Sequence, residues 1–448
     1  MKFFATLSLL GAFFVPAFAN VLPRQSKGKL TPIEVRGNAF FAGNERFYVR
    51  GVAYQPGGAA DAKDPLLDIE GLKRDIANFK KLGINTIRVY TIDNSQNHDE
   101  GMKMLDDAGI YLALDANTPK YSLNRESLET LHRSYNDVYL QNVFATIDAF
   151  ADYNNLLLFF SGNEVINAKN NTVAATYIKA VTRDMKTYIS NRHSRKIPVG
   201  YSAADVAENI HQQALFFDCG DDSERADFFA FNDYSWCDPS DFQKSGWDKK
   251  VQLYKDYPVP LFLSEFGCIT NTREWNEIAA LYSTKMTPVY SGGLVYEYTV
   301  EPNGFGLVEV DGSGNIKPNA DFDRLMKAYA KTANPKGDGG YKQNGTPSKC
   351  PPADDEWEVS STVLPAIPVK AKEYMEKGAG RGVGLDGPGS HFAGEPSESE
   401  AKPGEGGPTR VPSGQKAGNG SAGVAVEVPL RFLAMIGASV VFGVALMF

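Results

Sequence analysis

A (β/α)8 TIM barrel followed by a disordered C-terminal tether is the α/β fold that this chain predicts. Three observations carry the prediction: eight short apolar runs, helix-patterned segments between many of them, and polar or acidic residues at the far ends of the runs. The runs are RFYVRGVAY (46–54), INTIRVYT (84–91), IYLALDA (110–116), LLLFFSGNE (156–164), IPVGYSAAD (197–205), DFFAFNDY (227–234), VPLFLSEFG (259–267) and GGLVYEYT (292–299). Runs this apolar suit strands covered on both faces, as in a parallel sheet wrapped by helices. Between them, LKRDIANFKKLG, HDEGMKMLDDAG and NVFATIDAFADYN show helical spacing, and Gly83 and Gly109 are helix stops just before the next strand.

At 448 residues and 43% hydrophobic content, the chain can bury a full barrel core with extensions to spare, so one domain plus tails is expected. A formal net charge of −8 gives no basic footprint, which argues against a nucleic-acid partner and for an uncharged one. The 21 Tyr and 27 Phe suit a cleft that stacks sugar rings, but most must serve the core, so only tyrosines placed at strand ends bear on function.

Both ends read as processing signals. Met1 and Lys2 lead into FFATLSLLGAFFVPAFA, and Ala17-Phe18-Ala19 fits a signal peptidase site, giving a leader over 1–19 and a mature start at Asn20. Phe432 to Phe448 is apolar throughout, with Asn419-Gly420-Ser421 and a spacer upstream of it. That is the pattern of a glycosylphosphatidylinositol anchor, with the lipid on Asn419 (Gly418 and Ser421 being alternatives) and residues 420–448 removed. A transmembrane helix is the plainer reading, but the tail is at the short limit for spanning. The expected location is therefore the cell surface, anchored in the outer leaflet of the plasma membrane. The barrel domain is expected over 20–352. Residues 353–419, rich in Gly, Pro, Ser, Glu and Lys, read as a low-complexity linker unable to fold alone. Asn170 and Asn344 are N-glycosylation acceptors by their Asn-x-Thr pattern.

Cys219, Cys237, Cys268 and Cys350 allow three pairings in an oxidising compartment. They lack CxxC spacing, and the histidines show neither HxH nor HExxH, so disulfides are expected and a metal site is not.

The strand ends carry the chemistry. They present Tyr54, Tyr90, Asp115, Asn163, Glu164, Asp205, Tyr234, Glu265 and Tyr296. Glu164 ends the fourth run and Glu265 lies near the end of the seventh, positions that face one another across a barrel mouth. Two carboxyls about 5 to 5.5 Å apart are what a retaining glycosidase uses, one as nucleophile and one as acid and then base. Asn163 is placed to bond a sugar 2-hydroxyl, and Tyr234 to orient a nucleophile. A single strand-end Glu is as readily a salt-bridge partner or a helix cap. Two of them, preceded by Asn and Ser on such strands, favour the catalytic reading. Tyr90 and Tyr296 read as sugar contacts, or as residues that merely close the barrel.

The segments YQPGG (54–58), NTIRVYTID (85–93), HDEGMKMLDDAGIYLALD (98–115), SLNR (122–125), FFSGNEV (159–165), FNDYSWC (231–237), SEFGC (264–268) and SGGLVYEY (291–298) closely resemble glycoside hydrolase family 72. These are fungal β-1,3-glucanosyltransferases of the cell wall, and the likeness spans residues 28–350. It implies a retaining enzyme, needing no cofactor, that cleaves inside a β-1,3-glucan donor and holds the new reducing end on its nucleophile. It then passes that end to the non-reducing end of an acceptor glucan. By position the resemblance makes Glu164 the acid/base and Glu265 the nucleophile. It makes Tyr90, the 117–125 segment with Asn117, Asn124 and Arg125, Asn163 and Tyr296 donor contacts, and Asp205 an acceptor contact. It also implies the pairings Cys219–Cys350 and Cys237–Cys268. A monomer is expected.

The chain departs from the family pattern in places. Leu72 and Gly101 stand where members carry a third disulfide, Ile210 stands where an acceptor-side Arg is usual, and Phe305 replaces a Tyr. No Cys follows Cys350, so the Cys-rich carbohydrate module that some members append is not expected here. A less polar acceptor side would leave the glycosyl-enzyme to water, so an endo-β-1,3-glucanase is the alternative expectation. A catalytically idle wall glycoprotein is a third, against which the intact glutamate pair stands.

Overall fold

Gly37 and Gly43, both at positive φ, turn the chain into a small antiparallel sheet of β1 (Ile33–Arg36), β2 (Ala39–Ala42) and β3 (Glu45–Phe47). The computed structural model describes residues 27–58, 62–359 and 363–393, so the leader over 1–19 and Asn419 lie outside the described residues. After the small sheet come eight parallel strands that close a barrel: β4 (Val49–Ala53), β5 (Thr86–Val89), β6 (Tyr111–Asp115), β7 (Leu156–Asn163), β8 (Val199–Ala204), β9 (Phe228–Asp233), β10 (Leu261–Phe266) and β11 (Tyr290–Val295). Each falls on one of the eight apolar runs; the last starts two residues before its run.

The helices around it are α1 (Ile69–Leu82), α2 (Asp99–Ala108), α3 (Leu128–Ser134), α4 (Asp137–Phe150), α5 (Ala174–Arg192), α6 (Ile210–Asp218), α7 (Trp247–Tyr254), α8 (Asn276–Leu281) and α9 (Ala320–Lys331). A short hairpin of β12 (Val308–Val310) and β13 (Ile316–Pro318) precedes α9, and α10 (Val369–Lys377) closes the series. Asp68 caps α1 by accepting from the Gly71 amide, and Gly83 and Gly109 end α1 and α2 at φ 72° and 79°. Among the described residues, no helix is long and apolar enough to cross a membrane.

Strand alternation sorts the side chains into an outer and an inner set. Ile87, Val89, Leu112 and Leu114 join the large cluster under the helices, while Ala113, Phe160, Phe228, Ala230 and Phe262 fill the barrel's lower interior. Phe40 of the N-terminal sheet joins this inner set, its ring 5.8 Å from Phe262 and 6.3 Å from Phe228. The small sheet is thus a plug for the barrel floor. Leu72 and Gly101 are indeed neighbours: a Cβ on Gly101 would lie 3.4 Å from the Leu72 side chain and 2.4 Å from the Leu66 carbonyl oxygen. The fully buried Leu72 fills this corner by packing.

The expectation of a tether from residue 353 is corrected for residues 353–359 and 363–393, which pack on the barrel. Trp357 is fully buried with its ring 5.5 Å from that of Phe216, and α10 lies against α4 and α5. The glycines that suggested disorder instead permit close approach: a Cβ would fall 2.3 Å from Asn94 Oδ1 at Gly382 and 1.9 Å from the Tyr121 hydroxyl at Gly387. The backbone here is bonded by barrel side chains, with Gln141 donating to the Ala379 and Arg381 carbonyls and Asn136 to that of Ser390. The folded unit therefore includes the described residues as far as Ala393.

Replacing Phe40 with Ala opens a cavity beneath the barrel; urea denaturation should show a loss of about 3–5 kcal/mol.

Candidate active site

Two irregularities in strand register decide which residues reach the mouth. In β10, Leu263 pairs with Phe231 and Glu265 with Asn232, so one extra residue sits in β10. Regular alternation would send Ser264 and Glu265 to opposite faces; the bulge turns both inward. In β7, Phe160 pairs with Gly200 and Asn163 with Ser202, again one residue long. Ser161 then faces outward to Thr182 of α5, while Asn163 turns in, its Oδ1 2.8 Å from Ser202 Oγ.

Glu164 follows at φ 48°, an uncommon conformation for a residue with a side chain. Its backbone is held on both sides: its amide donates to the Ser202 carbonyl at 2.9 Å, and Arg125 Nη1 donates to its carbonyl at 2.6 Å. Its carboxylate accepts from Asn232 Nδ2 at 2.7 Å. Asn232 Oδ1 in turn accepts from Ser264 Oγ at 2.9 Å, which ties the ends of β7, β9 and β10 together.

Glu265 is the focus of the donors. The hydroxyl of Tyr90 donates to its Oε1 and that of Tyr234 to its Oε2, each at 2.8 Å, and Arg88 Nη1 approaches Oε1 at 3.4 Å. Arg88 is fully buried and forks onto both oxygens of Asp115 at 2.9 and 3.1 Å. Burial pushes the Glu265 carboxyl up to about 7; Arg88 opposes that rise, the Glu164 charge adds to it, and the tyrosine hydroxyls oppose it. Burial also raises Glu164, against the pull of its Asn232 bond and of Arg88 and Arg125. Three donors on Glu265, against one on the Glu164 carboxylate, oppose the effect of burial and stabilise a negative charge at Glu265.

The remaining predicted residues spread around this centre. Tyr296 is buried beside Phe305, which contacts Tyr234 as well, at ring separations of 5.3 and 5.4 Å. Asp205 sits at the rim and accepts from Lys250 at 2.6 Å, while Lys250 also reaches Asp233 at 2.8 Å. Ile210 is buried in the core below, so the cation beside Asp205 comes from α7. Asn117 holds a buried Oδ1 without a partner among the described residues. Asn124 Oδ1 accepts from the Glu126 amide at 3.0 Å and so shapes its own turn. Tyr54, one of the strand-end residues, points away from the cleft to Asp75. Cys237 is bonded to Cys268, joining the segments after β9 and β10, and Cys219 to Cys350. Asn170 and Asn344 are exposed.

Arg88, Asn232, Ser202, Ser264 and Lys250 were not singled out from the sequence. For Arg88 a signal existed: a lone cation at the centre of the apolar run INTIRVYT has to find buried anions. For Asn232 and the serines there was none, because their role depends on register.

A parallel barrel whose mouth joins a half-buried carboxyl to a buried one ringed by donors has the site of a glycoside-cleaving enzyme. The chain belongs to the glucanosyltransferase family, glycoside hydrolase family 72, whose model matches residues 23–333. It is 59% identical over 364 residues to the 1,3-beta-glucanosyltransferase gel1 of Aspergillus fumigatus, covering 81% of this chain and 80% of that one. With the 1,3-beta-glucanosyltransferase GAS5 of Saccharomyces cerevisiae it shares 51% identity over 383 residues, covering 84% and 78%. The crystal structure of a Saccharomyces cerevisiae Gas2p mutant in complex with laminaritetraose and laminaripentaose matches with a TM-score of 0.69 at 37% identity, over 77% of this chain and 76% of that one.

Tyr90→Phe and Tyr234→Phe each take one donor from the Glu265 carboxylate and leave its charge less stabilised. The Glu265 titration, followed by NMR of 13C-labelled glutamate, should move upward from about 7 in each variant and further in the double variant.

Proposed function

We propose that Glu265 is the nucleophile and Glu164 the acid/base of a retaining β-1,3-glucanosyltransferase. The observation that carries the assignment is the convergence of Arg88, Tyr90 and Tyr234 on Glu265, which stabilises a carboxylate there, beside a half-buried Glu164 whose carboxyl has a single such donor, Asn232. In the first step Glu265 attacks the anomeric carbon of an internal β-1,3 bond while Glu164 protonates the departing glycosidic oxygen. The fragment beyond the cut leaves, and the new reducing end remains as an ester on Glu265. In the second step Glu164, now ionised, takes the proton from the hydroxyl of an acceptor's non-reducing end. That oxygen displaces Glu265, and a β-1,3 bond is restored on a longer chain.

The chain's likeness to curated 1,3-beta-glucanosyltransferases favours this transfer over the endo-glucanase reading. Tyr90, Asn117, Asn163 and Tyr296 are the donor contacts in this account, and Asp205, held by Lys250, is the acceptor contact. The two outcomes differ only in whether sugar or water meets the ester, so the aromatic wall of Tyr234, Tyr296 and Phe305 favours transfer by excluding water. The leader over 1–19, the lipid on Asn419 and glycans on Asn170 and Asn344 would deliver the enzyme, as a monomer, to the outer face of the plasma membrane and the wall. The composition of both chain ends supports that delivery.

The secreted form, cut before Asn419 and given a reduced β-1,3-gluco-oligosaccharide of defined length, should yield products longer than the starting chain. Only shorter products would overturn transfer in favour of hydrolysis. Glu265→Gln should abolish both while binding the oligosaccharide. Glu164→Gln should lower kcat on the unactivated glucan by about 10²–10⁴-fold. Because the reaction needs Glu265 ionised and Glu164 protonated, kcat/KM should be bell-shaped in pH. Its acid limb marks uptake of a second proton by the pair and its alkaline limb loss of the last. In Glu164→Gln the alkaline limb should disappear.

A further inference from the structure

The 378–392 segment, read from its composition as a linker, lies against the loop that precedes α3 and carries Asn117 to Arg125. Lys120 is held from two directions: its carbonyl accepts from the Ser390 amide at 2.8 Å, and its ammonium donates to the Leu385 carbonyl at 2.8 Å. Ser122 Oγ lies 2.8 Å from His391 Nε2, and the Gly389 amide donates to the Tyr121 hydroxyl at 3.3 Å. Upstream in the segment the Gly384 amide donates to Asn94 Oδ1 at 3.0 Å, so the strap is fastened to the barrel beyond the loop as well. On the loop's other side the Asn124 amide donates to Ser134 Oγ at 2.7 Å. Between these fastenings the loop delivers Arg125 to the Glu164 carbonyl. That carbonyl belongs to a residue at positive φ, a conformation that persists only where surrounding contacts enforce it.

We propose that the Gly378–Phe392 strap is a positioning element for Glu164: it fixes the 117–125 loop, and through Arg125 it sets the backbone from which the Glu164 carboxyl is aimed at the leaving oxygen. The proposal rests on Glu164 being the acid/base. None of the strap residues touches substrate in this account; they act through Lys120, Tyr121 and Ser122. Part of the chain that leads toward the anchor therefore also serves the cleft.

The test uses the full chain and two donors, a β-1,3-gluco-oligosaccharide and the matching β-glycosyl fluoride, whose fluoride leaves without a proton. First-turnover rates are read for both, so that only formation of the Glu265 ester is compared. Gly387→Val drives a side chain into the Tyr121 hydroxyl and lifts the strap; Ser122→Ala, His391→Ala and the double variant remove one bond gently. The expected result is a loss of roughly tenfold or more on the oligosaccharide for Gly387→Val, by misplacement of the acid, with the fluoride burst unchanged. Ser122→Ala and His391→Ala should lose less and be non-additive when combined. Equal losses on both donors, or no loss on either in variants with unchanged Tm, would overturn the proposal. Should Gly387→Val fail to fold, the Ser122 and His391 variants decide alone. Glu164→Gln distinguishes the two levels. If it does not itself separate the donors, the acid/base reading has failed; if it does and the strap variants do not, the strap proposal has failed.

Discussion

One buried guanidinium organises the mouth of this barrel. Arg88 is fully enclosed by protein, and an unpaired cation there would cost several kcal/mol. Its fork onto Asp115, its approach to Glu265 and its place over the rings of Tyr90 and Phe160, at 4.4 and 4.3 Å, settle that charge. It also marks a boundary. Below it the interior is aromatic and closed by Phe40; above it Ser202, Asn232 and Ser264 form a polar layer that passes a hydrogen bond from Asn232 to Glu164. The placement of Glu265 follows from meeting the needs of Arg88 as much as from catalysis.

The barrel was legible because its strands are apolar on both faces and its first helices end in glycine, properties that belong to the local sequence. The pair Glu164 and Glu265 was legible for the same reason: each stands at the end of such a strand. What lay beyond reach was non-local. No pattern in LLLFFSGNE or VPLFLSEFG reports that each strand carries an extra residue relative to its neighbour, and without those bulges Glu265 and Asn163 would face outward. Nor does a sequence show that Tyr90, read as a sugar contact, donates its hydroxyl to Glu265, or that Lys250 from α7 supplies the cation beside Asp205 where Ile210 does not.

The C-terminal segment shows why composition misleads. Glycine richness usually means too little apolar surface to order a chain. Here Gly382 and Gly387 mark places where backbone runs flush against side chains of the barrel, and the ordering comes from hydrogen bonds to Asn94, Tyr121, Asn136 and Gln141. Trp357, the last tryptophan, and the scattered Leu364 and Met375 are apolar residues of this segment that the core buries.

The plug beneath the barrel gives the reaction chamber a single door. With Phe40, Phe228 and Phe262 closing the floor, the approach to Glu265 is through the mouth, the passage that donor and acceptor glucans would share in the proposed reaction. Water and acceptor then compete for one passage, and a glucan seated in it is its own stopper. On the proposed route the fate of the intermediate becomes a question of supply: dense glucan around the enzyme would carry it to another chain, and scarce glucan would leave it to water.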